Sequence, residues 1–172
     1  MKNRIIIRPE TAADIGAIEA VTAVAFQTLA ISPHTEQYII AALRAAEALT
    51  VSLVAEKNGQ VVGHVAFSPV EISDGNVTWY GLGPVSVLPE YQRQGIGKAL
   101  INEGLAILKG SGVGGCCLVG DVNYYKRFGF RNIPELVLEG VPQEVFLALP
   151  FGPEVPQGIV VFHGGFKADG KS

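Results

Sequence analysis

The run Leu82-Gly83-Pro84-Val85-Ser86-Val87-Leu88-Pro89-Glu90-Tyr91-Gln92-Arg93-Gln94-Gly95-Ile96-Gly97-Lys98-Ala99-Leu100 constrains the fold more than any other part of the chain. It reads as a strand, a tight polar turn and a helix with two glycines in its first turn. The leading N–H groups of a helix lack intrahelical partners and carry the positive end of its macrodipole. Glycine at 95 and 97 removes the Cβ atoms that would hold a phosphate oxygen away from those donors, and Arg93 and Lys98 add charge at the rim. A pyrophosphate group fits such a site on electrostatics alone, although an ordinary glycine-rich helix start carries the same letters. Pro84 cannot donate to a ladder, so it marks a bulge or a point where neighbouring strands separate.

Two look-alike patterns fail on context. Gly97-Lys98 resembles the end of a phosphate-binding P-loop, but Ala99 stands where a metal-binding Ser or Thr is needed and Gln92 where the first glycine is needed. Gly110–Gly115 satisfies G-x-G-x-x-G by letter, yet it follows a helix and precedes a strand, the reverse of a dinucleotide fingerprint.

The flanking sequence supplies a mixed architecture. Arg4–Arg8 reads as a strand stopped by Pro9, and Thr11 with Asp14 as an acidic capping box. Ile15, Ile18, Val21, Ala25 and Phe26 line one face of a first helix. Ser32-Pro33 signals a second helix reaching to about Ala48. A meander follows: Thr50–Lys57, the hairpin dipeptide Asn58-Gly59, Val61–Ile72, a turn at Ser73-Asp74-Gly75, and Val77–Leu88. Gly97, Leu100, Ile101, Gly104, Leu105 and Leu108 form a helical stripe on which the glycines let the helix lie close to a sheet. Cys116–Gly120 is a buried strand, Asp121 or Asn123 caps a short helix through Phe128, and late strands fall near Val137, at Val145–Leu149 and at Gly158–Phe162. The order β-αα-βββ-α-β-α-ββ predicts an α/β (mixed α+β) fold, a mixed sheet with helices on its faces.

At 172 residues, 48% hydrophobic and 17% charged, the chain has the length and apolar content for a single core. Residues 1–167 are expected to form one domain and 168–172 a frayed tail. A net charge of −3 argues against a nucleic-acid surface. The adjacent Cys116 and Cys117 read as reduced thiols, and with three scattered His they leave no metal-ligand spacing. The N-terminal apolar run is too short for a signal peptide, and no stretch approaches a membrane span. A cytoplasmic location is expected, with no membrane or nucleic-acid partner.

Gln92-Arg93-Gln94-Gly95-Ile96-Gly97 resembles motif A of the GNAT superfamily of acyl-CoA-dependent N-acetyltransferases, and Tyr125-Lys126-Arg127-Phe128-Gly129-Phe130 resembles that family's later Y-x-x-x-G-F element. Val62-Gly63-His64-Val65, Phe67-Ser68-Pro69-Val70, Gly120-Asp121, Val141-Pro142 and Phe146-Leu147-Ala148-Leu149 are similar to its YhbS-like branch. The resemblance runs from Ile7-Arg8-Pro9 to the Phe162-His163 region. It implies a three-layer fold whose mixed sheet splays at a cofactor cleft. Acetyl-CoA is then the expected cosubstrate, without a metal, and an amine is the acceptor, whether a small molecule or a protein amine. Backbone groups of Val85, Ser86 and Val87 are expected to hold the pantetheine arm, and the segment Gln92, Arg93, Gln94, Gly95, Ile96, Gly97, Lys98 the pyrophosphate.

Family chemistry is direct attack of a neutral amine on the thioester, with a proton donor for the departing thiolate. Tyr125 matches the family's donor, and Tyr124 is its fallback; the competing reading is that Tyr125 only packs against Tyr124, Phe128 and Phe130. The strand Val77–Leu88 carries no carboxylate, so His64, Glu71 and Glu56 are the candidate bases, with bound water as the alternative. An acyl-CoA-binding regulatory module without turnover remains the other function. The acceptor's shape is expected to be set by the early helices, where His34, Glu36 and Glu47 are the distinctive polar groups. His163 has no assigned role, and self-association into a homodimer is left open.

Overall fold

The computed structural model describes residues 4–27, 29, 32–74 and 78–170. Gly75, Val77 and the last two residues of the expected tail lie outside that set. Strand β1 (Ile5–Pro9) runs antiparallel to β2 (Val51–Lys57), with Pro9 as its last paired residue opposite Leu53. Proline therefore ends the strand from within, at a terminal position where its missing N–H is tolerated. Asn58 and Gly59, both with positive φ (53° and 79°), turn the chain into β3 (Gln60–Ile72), the combination a type I′ hairpin needs.

The long β3 pairs with β2 on one side and with β4 (Trp79–Val87) on the other. Beyond β2, its end at Val70–Ile72 pairs with β8 (Gly158–Phe162), which also carries the short β6 (Leu136–Val137). Strand β5 (Gly115–Val119) joins β4 in parallel, and β7 (Phe146–Pro150) closes that edge antiparallel to β5. The main path is β1-β2-β3-β4-β5-β7, a mixed sheet as expected.

Helices cover both faces. Helix α3 (Ile96–Gly110) lays Leu100, Ile101, Leu105 and Leu108 against Val65 and Phe67 of β3. On the opposite face α1 (Ile15–Gln27) and α2 (Glu36–Ala45) bury Ile18, Val21 and Ile40 over Val54 and Val61. Ahead of α1, the Thr11 N–H and hydroxyl both donate to the Asp14 carboxylate (2.7 and 3.0 Å), and Arg8 pairs with the same carboxylate at 2.7 Å.

Helix α2 departs from expectation: it begins at Glu36, with Thr35 at its N-cap, and ends at Ala45. Ser32-Pro33 does not start it because His34 takes a left-handed φ of 60°. The Ser32 hydroxyl, instead of capping, donates to the Glu36 carboxylate (2.9 and 2.8 Å to its two oxygens).

Candidate active site

The two halves of the sheet come apart at Gly83-Pro84. β4 pairs with β5 only through Trp79, Tyr80 and Gly81, opposite Gly115, Cys116 and Cys117. β5 then follows β7 as far as Val119, while β4 follows β3, with Val85, Ser86 and Val87 opposite Val65, His64 and Gly63. The β3–β4 register shifts between Val65 and Phe67, so the separation and a bulge both fall where proline interrupts the run. From Gly83 to Val87, β4 has a partner strand on one edge only, among the described residues. The other edge offers peptide donors and acceptors to whatever enters the gap.

That edge leads straight to the start of α3. The first intrahelical bond runs from the Ala99 N–H to the Gly95 carbonyl (3.0 Å), which leaves the donors of Ile96, Gly97 and Lys98 without helical partners. Arg93 and Gly95 both have positive φ (63° and 84°); for Gly95, the N-cap, the missing Cβ is what makes that conformation inexpensive. Gln92 to Gly95 and Lys98 are exposed, whereas Ile96 is buried and anchors the turn. Gln92 donates its side-chain amide to the Val87 carbonyl (3.1 Å), closing the turn back onto β4.

Facing this loop is α4 (Val122–Tyr125), capped by Asp121, whose carboxylate accepts the Asn123 N–H at 2.8 Å. The two tyrosines at its end diverge. The Tyr124 hydroxyl lies 3.3 Å from where a Cβ on Gly97 would stand, so Gly97 faces α4 as much as the sheet. The Arg127 guanidinium sits 4.7 Å from the Tyr124 ring centre. Tyr125 turns the other way and lines a cavity of about 480 Å³ together with Leu82, Pro84, Val85 and Val119. Its ring also meets Tyr124, Phe128 and Phe130 at 4.9–6.2 Å, so the aromatic packing expected as a competing reading is present alongside the cavity position. Burial pushes the Tyr125 hydroxyl up to about 12, with the nearby Tyr124 and Cys116 adding to the shift, which keeps it protonated.

The far wall of the cavity comes from distant segments. Phe26 and Ile39 belong to α1 and α2, Phe162 ends β8, and Phe166 lies in the 3₁₀ turn Gly164–Lys167 that follows it. Two carboxylates line it, Glu36 and Glu139. Of these wall residues only Glu36 stood out as a candidate for the site; Phe26 reads as part of a helix face and Phe162 as the end of a late strand, and they meet the site through the fold alone. None of the three candidate bases lines the cavity. Glu56 is paired with Arg8 at 2.9 Å, and Glu71 is exposed on β3 opposite Val161.

His64 is fully buried. Its Nε2 lies 2.7 Å from the Ser52 hydroxyl, which in turn donates to Glu10, itself paired with Arg44 at 2.8 Å. Because Ser52 gives its proton to Glu10, Nε2 must donate, leaving Nδ1 as a buried acceptor without a protein partner. Burial pulls this imidazole down to about 4 against the opposing pull of Glu10, so it is neutral. His163 accepts the Gly165 N–H on Nδ1 (2.9 Å) and caps a single 3₁₀ turn. Cys116 and Cys117 are free and fully buried, and burial pushes both thiols up. Among the described residues no cluster of three or more His, Cys, Asp or Glu could hold a metal ion, and no helix is long and apolar enough to cross a membrane.

Comparison with known proteins places the splayed mixed sheet and the glycine helix start in a family. The family model described as the acetyltransferase (GNAT) domain matches residues 49–132. The uncharacterized N-acetyltransferase YhbS of Escherichia coli (strain K12) is 36% identical over 128 residues, 74% of each chain. The chain belongs to the GNAT acetyltransferase family. A GNAT family acetyltransferase from Brucella melitensis in complex with acetyl-CoA superimposes with a TM-score of 0.85 at 51% identity, over 95% of this chain and 99% of that one. Escherichia coli YhbS in complex with CoA superimposes at 0.87 and 31% identity, over 95% and 92%.

Proposed function

We propose that this chain transfers the acetyl group of acetyl-CoA to a primary amine by direct attack within a ternary complex. The observation that carries the reading is a line of backbone without a partner strand: the free edge of β4 from Gly83 towards Val87, whose carbonyl alone is taken by the Gln92 amide, followed by the bare donors at the head of α3. Val85, Ser86 and Val87 hold the pantetheine arm along that edge, as an added strand would. The turn from Gln92 to Lys98 receives the pyrophosphate on its N–H groups, with the helix dipole behind them.

When bound, acetyl-CoA supplies a thioester carbonyl to the amine. An ordinary amine has a pKa near ~10 and must lose a proton before it attacks; with His64, Glu71 and Glu56 all away from the cavity, bound water takes that proton. Tyr125, protonated and beside Pro84 and Val85, donates to the sulfur as the C–S bond breaks. Tyr124 stands nearer to Gly97 than to that cavity and so belongs to the phosphate end. Neither cysteine serves as a relay, since both are buried and held as thiols.

The test is a broad amine panel with acetyl-CoA, following free thiol release, beside a thermal-shift titration of acetyl-CoA. Thiol release that depends on an amine, with equimolar N-acetylated product, supports the transferase. Acetyl-CoA binding without release on any amine replaces it with the acyl-CoA-binding module.

A further inference from the structure

The wall of the cavity beside the splay specifies its occupant. At about 480 Å³ it falls in the range of small-molecule sites. Phe162 and Phe166 meet edge to face at 5.1 Å and form one rigid side; Phe26, Ile39, Leu138 and Val141 extend an apolar surface around them. The only charged side chains among its described lining residues are Glu36 and Glu139, and no Lys, Arg or His joins them. Glu36 is held in place by the Ser32 hydroxyl at 2.8 Å. Such a cavity attracts a single cation and repels carboxylates and phosphates. It also rewards an apolar body and penalises each further polar group that loses water without a partner.

Resting on the transferase reading above, we infer that the acceptor is a small hydrophobic monoamine, an aromatic or branched apolar body carrying one ammonium group and no anion. Its ring lies against Phe162 and Phe166, and its nitrogen is drawn in by Glu36 and Glu139 towards Tyr125. A polyamine brings more charge than two carboxylates balance, and a hydroxylated amine leaves the apolar wall unused.

The experiment uses the full chain saturated with CoA, so that binding is read separately from turnover. Calorimetric titration with 2-phenylethylamine, phenylacetate, ethanolamine, spermidine and a lysine-containing peptide compares body and charge one at a time. Phenylethylamine is expected to bind at least about tenfold tighter than ethanolamine, the least a buried ring contributes, and phenylacetate not to bind. Glu36→Gln with Glu139→Gln is expected to weaken phenylethylamine about tenfold and to leave the Kd of acetyl-CoA unchanged. Equal binding of phenylacetate, spermidine, ethanolamine or the peptide overturns the inference, as does an unaffected double variant or no binding of phenylethylamine. Phenylethylamine that binds as expected but is never acetylated leaves the cavity assignment standing and removes the transferase reading. Acetylation of ethanolamine or the peptide with equal kcat/KM does the reverse.

Discussion

The Tyr124 hydroxyl is aimed at Gly97 while Tyr125 borders the cavity, so two chain neighbours are expected to respond differently to loss of the same atom. Tyr125→Phe keeps the contacts with Phe128 and Phe130 and removes only the donor. General-acid catalysis contributes ~10²–10⁴-fold, so kcat on an accepted amine should fall in that range with the KM for acetyl-CoA nearly unchanged. Tyr124→Phe should spare kcat; steady-state kinetics on both variants checks the assignment, and wild-type kcat in Tyr125→Phe removes it from the mechanism. His64 makes a prediction of another kind. Its folded pKa of about 4 lies below the ordinary 6.5, so between those values the unfolded chain binds the extra proton. The sign follows: stability is full above pH 6.5 and declines as pH falls towards 4. Between pH 7.5 and 5 the loss assigned to His64 is about 2 kcal/mol. Against the opposing effect of burial, the hydrogen bonds from Arg44 and Ser52 hold Glu10 below its usual 4.5, so its contribution is present above 4.5 and is lost mainly below that window. Urea melts of wild type and His64→Gln at the two pH values should show the acid decline shrinking in the variant; equal declines refute the burial argument.

At the scale of elements, α3 is fixed by what it lacks at Gly104. A Cβ there would stand 2.1 Å from Cε1 of Phe67, whose ring is fully buried. Gly104→Ala gains about 1 kcal/mol of helix propensity, but pushing apart a filled core costs about 1–3 kcal/mol or more. With so short an approach the clash wins, and the Tm should drop by several degrees, at about 2–4 °C per kcal/mol. An unchanged or raised Tm by calorimetry contradicts the packing. Gly104 was legible in the sequence because its spacing from Leu100, Ile101 and Leu108 put it on the buried stripe. The turn before α3 and the interruption at Gly83-Pro84 were legible from local chemistry, glycine at a helix start and a proline without an N–H, although the bulge and the strand separation left as alternatives there both occur. The start of α2 was not, because Ser32-Pro33 has the letters of a helix start while His34 and the Glu36 carboxylate decide otherwise. Nor were Phe162, Phe166 and Glu139 legible as site residues. They reach the cavity only because β8 docks on the far end of β3, a contact that no local pattern encodes.

Across the whole molecule, the cleft joins elements that folding must bring together, β4 with α3 on one side and β5 with α4 on the other. A ligand that binds only this assembled form stabilises the entire chain by RT ln(1 + [L]/Kd), about 2.7 kcal/mol at a hundredfold excess over Kd. That corresponds to a rise in Tm of roughly 5–10 °C for a domain of this length, so acetyl-CoA should shift the melt by that amount. Gly95 decides whether the shift passes through the helix start. A side chain at φ 84° is strained whatever it is, yet nothing lies within 4 Å of the added Cβ, so both Ala and Asp should fold with a lowered Tm. Gly95→Ala keeps the positive helix end and should retain most of the acetyl-CoA shift. Gly95→Asp places a carboxylate beside the donors of Ile96, Gly97 and Lys98, where it neutralises the dipole and repels a pyrophosphate; its shift should vanish. Thermal melts of the three proteins with and without acetyl-CoA make the comparison, with circular dichroism confirming that each is folded. A full shift in Gly95→Asp would move the pyrophosphate away from α3, and loss of the shift in both variants would trace it to backbone strain rather than charge.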